Sequence, residues 1–354
     1  MAWLLAVLLA QPAPPKAPPP TALVGGDVYT VTRGVVRGGT VLVVDGKIHR
    51  VGPSVEVPEG AVRIDVRGKR VLPGFVAAQA RGFGLQVPAN GKVSDAVDPF
   101  HEAVRIALAS GVTCVGAEAG GGRGFFGGDA AAPAASAVLK MTYGTLEGMV
   151  VAEPAGFPLP AASSPSAAER HELRESLRRA RDHVDQERDY ERRKAENRLK
   201  PGEGPPRPQG SLERLVRLVK GEETARIPAA DAESLRRALE VVEEFKLRAV
   251  LTGVVEGWTL PDEIGRARAW CLFTVRTKVH PPRGATRPSG SSIEQAAILR
   301  RAGVRFALIP PNPEIGTGGI AGRDLGTFPL EAAFAIRGGL DEKAALEAIT
   351  LIPA

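Results

Sequence analysis

Residues 71–84 read VLPGFVAAQARGFG, which puts an amide and a guanidinium where an apolar strand should stop. Side chains alternate along a strand, so Gln79 and Arg81 share one face. Arginine carries five donors, no acceptor and a permanent charge. An inward arginine at this point suits an anion or a carboxylate partner, and Glu118 and Asp324 are the carboxylates placed to serve. Gln79, Arg81 and Arg323 form the expected substrate-binding set. Asp324, in GTGGIAGRDLGTF (316–328), and His280, a few residues past a strand, are the candidate catalytic groups. Asp324 reads equally well as a turn or N-cap residue.

The other constellations are weaker. Gly122-Arg-Gly-Phe-Phe-Gly127 matches G-x-G-x-x-G after a strand, but Pro133 interrupts the helix that a dinucleotide site needs. It reads as a loop bordering the pocket. Ser289-Gly-Ser-Ser reads as a helix start, Ser291 as N-cap and Glu294 closing a capping box. No G-x-S-x-G elbow surrounds it. His49, His101, His171 and His183 are scattered and form no ligand pair, so no metal ligand is assigned. His101 is expected in the first turn of a helix, His171 and His183 on a solvated one. Cys114 and Cys271 sit in apolar runs and read as small buried hydrophobes.

The elements that must position these groups follow from patterning. The chain has 354 residues, 44% hydrophobic and 24% charged, with 41 Gly and 30 Pro. That is ordinary for a globular protein rich in tight turns. The net charge is +6, and no nucleic-acid motif accompanies it, so no nucleic-acid partner is expected. Residues 1–20 read as a signal peptide, or a retained N-terminal anchor, followed by a Pro-rich tether. Export to the periplasm or cell surface is the resulting expectation. Residues 21–73 hold about five short Val/Ile-rich strands, with Asp45-Gly46 as the strongest hairpin cue. From 74 onward short strands alternate with helices of 10–15 residues, the pattern of parallel βα units. The fold expected is α/β: a (β/α)8 TIM-like barrel over 74–354, preceded by a small β-sandwich-like domain. A charged helical insertion spans 166–210, its helix (166–200) lacking a wide apolar stripe. That segment reads as a solvated, salt-bridged helix or helical pair protruding from the domain. A protein partner surface is the other reading of it.

The order of several pieces resembles the amidohydrolase superfamily, most closely its imidazolonepropionase-like branch. They are GGTVLVVDGKIHRVG, the VLPGF turn, ALASGVT, IEQAAILRRAGV and the terminal GGLDEKAALEAITLIPA. The resemblance implies a hydrolase of carbon–nitrogen bonds other than peptide bonds, with zinc or another divalent metal. Its first barrel strand normally ends in His-x-His, and the matching positions here are Gln79 and Arg81. The late strand normally ends in a catalytic Asp, and here FALIPPNPEIG offers Asn312 and Glu314 instead. Arginine repels a divalent cation, and about three fixed ligands are needed to hold one. Two readings follow. One is a degenerate member that binds a small-molecule ligand without a cofactor. The other is an active enzyme with non-standard metal ligands.

Overall fold

Asp45 and Gly46 turn the chain back between two valine-rich runs. Both take left-handed backbone, φ 49° and 72°, as a two-residue hairpin turn with matching twist requires. The computed structural model describes residues 18–83, 85, 91–118, 135–315 and 324–354. Residues 1–17, both Gly-rich loops and Arg323 therefore lie outside the described residues. The chain divides into two units, one ending at Pro73 and one beginning at Gly74.

The first unit contains β1 (Thr21–Tyr29), β2 (Val35–Val44), β3 (Lys47–Gly52), β4 (Val62–Asp65) and β5 (Arg70–Val71). They form one sheet, ordered β3-β2-β1-β4, with β5 also paired to β1. β1–β2 and β2–β3 are antiparallel, whereas β4 and β5 run parallel to β1. This corrects the sandwich-like expectation: the described strands make a single sheet, not two facing ones. Short β4 and β5 both line up on β1, leaving no strands for a second layer.

The second unit carries β6 (Phe75–Ala80), α1 (Glu102–Ala109), β7 (Val112–Glu118), β8 (Ser136–Lys140), β9 (Val150–Ala152) and β10 (Phe157–Pro158). Two helices follow, α2 (Ala167–Ala195) and α3 (Ser211–Val219). The alternation then resumes through β11 (Ala225–Pro228), α4 (Ala232–Phe245), β12 (Ala249–Thr252), α5 (Pro261–Arg266), β13 (Trp270–Phe273), α6 (Gln295–Arg301) and β14 (Phe306–Leu308). Helices α7 (Pro329–Arg337) and α8 (Glu342–Glu347) close the chain. One sheet is β10-β11-β12-β13-β14, parallel throughout, and the other is β6-β7-β8-β9. Two-sided burial explains why β13 and β14 read WCLF and FAL without alternation. Helix α4 shows how firmly local sequence sets an element. Asp231 accepts from the N–H groups of Glu233 and Ser234 at 2.9 Å, and Ser234 Oγ returns the bond to Asp231 N–H at 3.2 Å. Leu235, Ala238, Leu239 and Val242 then bury one stripe.

Neither sheet closes on itself. They meet at two seams bridged by isolated backbone bonds: Ala155 N–H to Ser136 O at 3.1 Å, and Arg81 N–H to Pro313 O at 2.7 Å. A parallel bridge joins Arg81 to Glu314 at the second seam. There the chain after α8 also inserts, Ile349 O accepting from Val76 N–H at 2.9 Å and Ala348 O from Leu308 N–H at 3.1 Å. One expectation fails in this region. β8 runs antiparallel to β7, so the β7–β8 step is not a parallel βα unit.

The charged segment also differs from expectation. Leu173, Leu177, Ala180 and Val184 are buried along α2. Ala180 and Val184 pack against Val216 of α3, an element the sequence pattern left inside a linker-to-strand passage. Arg174 bonds Glu240 and Glu244 of α4 at 3.3 and 2.8 Å. The helix is therefore docked, not a protruding arm. His183, expected to be solvated, is 9% exposed and lies 3.4 Å from Glu187. The inward face is built from Leu173, Leu177, Ala180 and Val184 at steps of four and three residues, joined by the buried His183 and Tyr190, while arginine stems cover the flanks.

Candidate functional site

Strand β6 ends in an irregular register that aims two side chains at one place. Ala77 pairs with Val115 and Ala80 with Ala117, so three steps on β6 face two on β7. This is a bulge. Gly116 makes it fit: a Cβ there would lie 2.4 Å from the Ala78 carbonyl oxygen. Gln79, inside the bulge, and Arg81, just past it, converge on Glu118, the last residue of β7. Gln79 Nε2 donates to Glu118 Oε2 at 3.0 Å and Arg81 Nε donates to the same oxygen at 3.2 Å. Arg226, rising from β11, forms an ion pair with the other carboxylate oxygen, Oε1. Arg226 and Glu118 are well buried, with side-chain exposures of 12% and 15%, whereas Arg81 is 51% exposed.

Two cavities flank this cluster. One of about 200 Å³ is lined by Gln79, Arg81, Glu118, Arg226, Ser136 and Thr252. The other, about 280 Å³, lies on the far side of Gln79 and Arg81, against Thr274, Gln295 and Pro310–Pro311. Behind Thr274 sits a carboxylate that sequence reasoning missed. Glu331 of α7 is 0% exposed, accepts from Thr274 Oγ1 at 2.8 Å and from Arg276 Nη1 at 3.0 Å. Burial pushes its pKa up to about 7, against the opposing pull of Thr274 and Arg276. Its sequence signal was slight, one Glu inside the apolar run FPLEAAFAI. A second buried carboxylate, Glu256, accepts from Ala232 N–H at 2.9 Å and Gly290 N–H at 2.6 Å, bracing α4 against the loop before α6.

The other expected site residues do not join. Asp324 caps the short 3₁₀ turn Leu325–Thr327, its Oδ1 accepting from Gly326 N–H at 3.1 Å. That is the turn role, and no bond reaches Glu118 or Arg81. His280 is exposed in the loop between β13 and α6, and its ring makes no hydrogen bond among the described residues. Arg323 lies outside the described residues. The expected Ser291–Glu294 capping box is not formed. Helix α6 begins at Gln295, Ser292 Oγ accepts from Glu294 N–H at 3.2 Å, and Ser291 Oγ accepts from Val279 N–H at 2.8 Å. His101 is the N-cap of α1, Nδ1 accepting from Ala103 N–H at 3.2 Å. Cys271 is fully buried and its thiol is pushed up to about 12, as expected of a core residue.

A divalent metal does not fit the donor set at the strand ends. Two guanidiniums and an amide surround a single carboxylate, and each of its oxygens already faces a cation. Among the described residues, no three His, Cys, Asp or Glu side chains gather closely enough to hold an ion.

The class of fold is that of the amidohydrolases. The chain superposes on an amidohydrolase from Thermotoga maritima with a TM-score of 0.65 at 23% identity, covering 94% of this chain and 88% of that one. A prolidase solved with N-methylphosphonate-L-proline gives a TM-score of 0.51 at 16% identity, over 95% of this chain and 86% of that one. No protein-family model and no curated protein sequence matches the chain.

Proposed function

We propose that the chain is a member of the amidohydrolase superfamily in which an internal ion cluster replaces the metal centre, leaving a binding site for a small anion. The two sheets of the second unit are read as arcs of one irregular (β/α)8 barrel. β6–β8 and β10–β14 would supply its eight strands, with β8 reversed. The fold likeness to the Thermotoga amidohydrolase supports this reading. The apolar run at residues 2–10 and the proline-rich stretch after it support export.

The observation that carries the proposal is Glu118 held between Gln79, Arg81 and Arg226. Two guanidiniums against one carboxylate leave an excess positive charge beside the cavities. Arginine's planar fork suits a carboxylate or phosphate. The side chains divide the work by burial. Arg226 is enclosed and stays on Glu118, while half-exposed Arg81 is free to swing from Glu118 to an incoming anion. Ser136 and Thr252 supply hydroxyls on one side and Thr274 on the other. These cavities hold a ligand of few heavy atoms with one anionic group.

Metal analysis together with calorimetry tests the reading. Purified protein should carry less than about a tenth of an equivalent of bound metal, against the one or more that hydrolysis on this scaffold needs. Gln79→His/Arg81→His should fare no better, because Arg226 remains. Acetate or phosphate should bind the parent protein, and Arg81→Ala should weaken that binding about tenfold. Stoichiometric zinc in either protein would overturn the proposal.

A further inference from the structure

The opposite ends of the same strands form a second, differently charged cavity. It measures about 800 Å³ and lies at the start of β11, β12, β13 and β14. Lys246, Arg248, Arg266, Arg268 and Arg305 line it, together with Trp270. Glu243 is the one carboxylate on its wall among the described residues. The cations come from three successive helix-to-strand turns. Lys246 and Arg248 precede β12, Arg266 and Arg268 precede β13, and Arg305 stands directly before β14.

Three properties separate this cleft from an ordinary basic surface. First, no side chain of the five cations makes an ion pair among the described residues. Elsewhere many surface arginines are paired, as Arg174 is with Glu240 and Glu244. Second, Lys246 and Arg268 hold left-handed backbone, φ 53° and 52°. Glycine occupies such positions more easily, so side chains that project charge into the cleft stand where the backbone favours none. Third, two of the arginines are oriented. Arg305 lies over the Trp270 ring at 4.2 Å, and Arg248 Nη1 donates to Gly221 O at 3.2 Å. Like charges gathered in a concave site focus potential and raise the local concentration of anions.

We infer that this cleft binds a small molecule carrying clustered phosphates, of the class of inorganic triphosphate or a nucleoside triphosphate. The volume lies in the range of small-ligand sites. Several guanidiniums converging from three turns match several phosphate oxygens. A concave cluster, not a stripe tracking along the surface, favours a compact polyanion over a nucleic-acid strand. The inference is independent of the reading of the Glu118 site, since the two lie at opposite ends of β11–β14.

Calorimetric titration of the full chain at about 0.15 M salt tests it, with sodium triphosphate, ATP and a single-stranded 20-mer RNA as separate probes. Triphosphate should bind, and more weakly as salt rises. Arg266→Gln/Arg268→Gln should weaken it about tenfold or more, with an unchanged circular dichroism spectrum. Lys246→Gln is the second variant should the first not fold. Arg188→Gln, on the outer face of α2, should leave binding unchanged. Equal affinities for triphosphate and ATP assign recognition to the phosphates, and tighter ATP binding places the base beside Trp270. Both outcomes support the site. It is overturned if wild-type protein binds neither, if the variants bind as tightly as wild type, or if RNA binds far more tightly than triphosphate.

Discussion

Removing the Glu118 carboxylate would leave Arg81 and Arg226 facing each other with no anion between them. Breaking a buried pair on one side costs more than the pair contributes, because the remaining charge stays desolvated. Glu118→Gln should therefore lower stability by about 3 kcal/mol in urea unfolding, and a loss no larger than a surface pair gives would refute the buried cluster. Glu331 makes a prediction of opposite sign. Its folded pKa, about 7, lies above the 4.5 of an unhindered glutamate. The folded protein thus holds the proton more tightly than the unfolded chain, so stability is greatest below about pH 4.5 for this group. It falls as pH rises and levels off above about 7. The drop attributable to Glu331 is on the order of 3 kcal/mol. Glu331→Gln should flatten the melting temperature between those pH values. An unchanged slope would mean that the carboxylate is ionised throughout.

Helix α2 shows how an element can look solvated and still be anchored. Leu177 is fully buried in the main core beneath it. Leu177→Ala should cost about 3 kcal/mol, the usual range for an aliphatic truncation in a core. If the helix stood free, the same change would cost only a few tenths. Much of the fold was legible because its signals are local. The Asp45-Gly46 turn, the cap at Asp231 and the alternation after residue 225 each follow from a few adjacent residues. So was half of the site. Gln79 and Arg81 were expected to share a face, and Glu118 was named as a partner for the arginine; the structure bonds all three. Arg226 was not legible. It sits in ARIP, an unremarkable strand, and only the tertiary approach of β11 to β7 brings its charge to Glu118. Helix α3 and the stripe of α2 were hidden for the opposite reason. Their apolar residues are few among many arginines, and each helix completes the other's buried surface. Asp324 and His280 attracted notice by type alone, and among the described residues neither is bonded to the Glu118 cluster.

At the scale of the molecule, the net charge of +6 is not a uniform coat. Around Glu118 two arginines share one carboxylate, while at the other end of β11–β14 five cations share one cavity wall with Glu243. The Trp270 ring beneath Arg305 belongs to that second wall, and it also borders the apolar cavity of about 360 Å³ between the sheets. Trp258 sits toward the other end of the strands, its indole donating to Gly290 O at 2.9 Å and its backbone N–H bonded to Gln295 Oε1, beside the cavity that Arg81 lines. The chain thus carries one indole near each end of its strands, and the third tryptophan, Trp3, lies outside the described residues. Under ultraviolet excitation each end reports through its own emission. Paired Trp→Phe variants would separate the two spectra, so filling of either cavity can be followed without attaching a label.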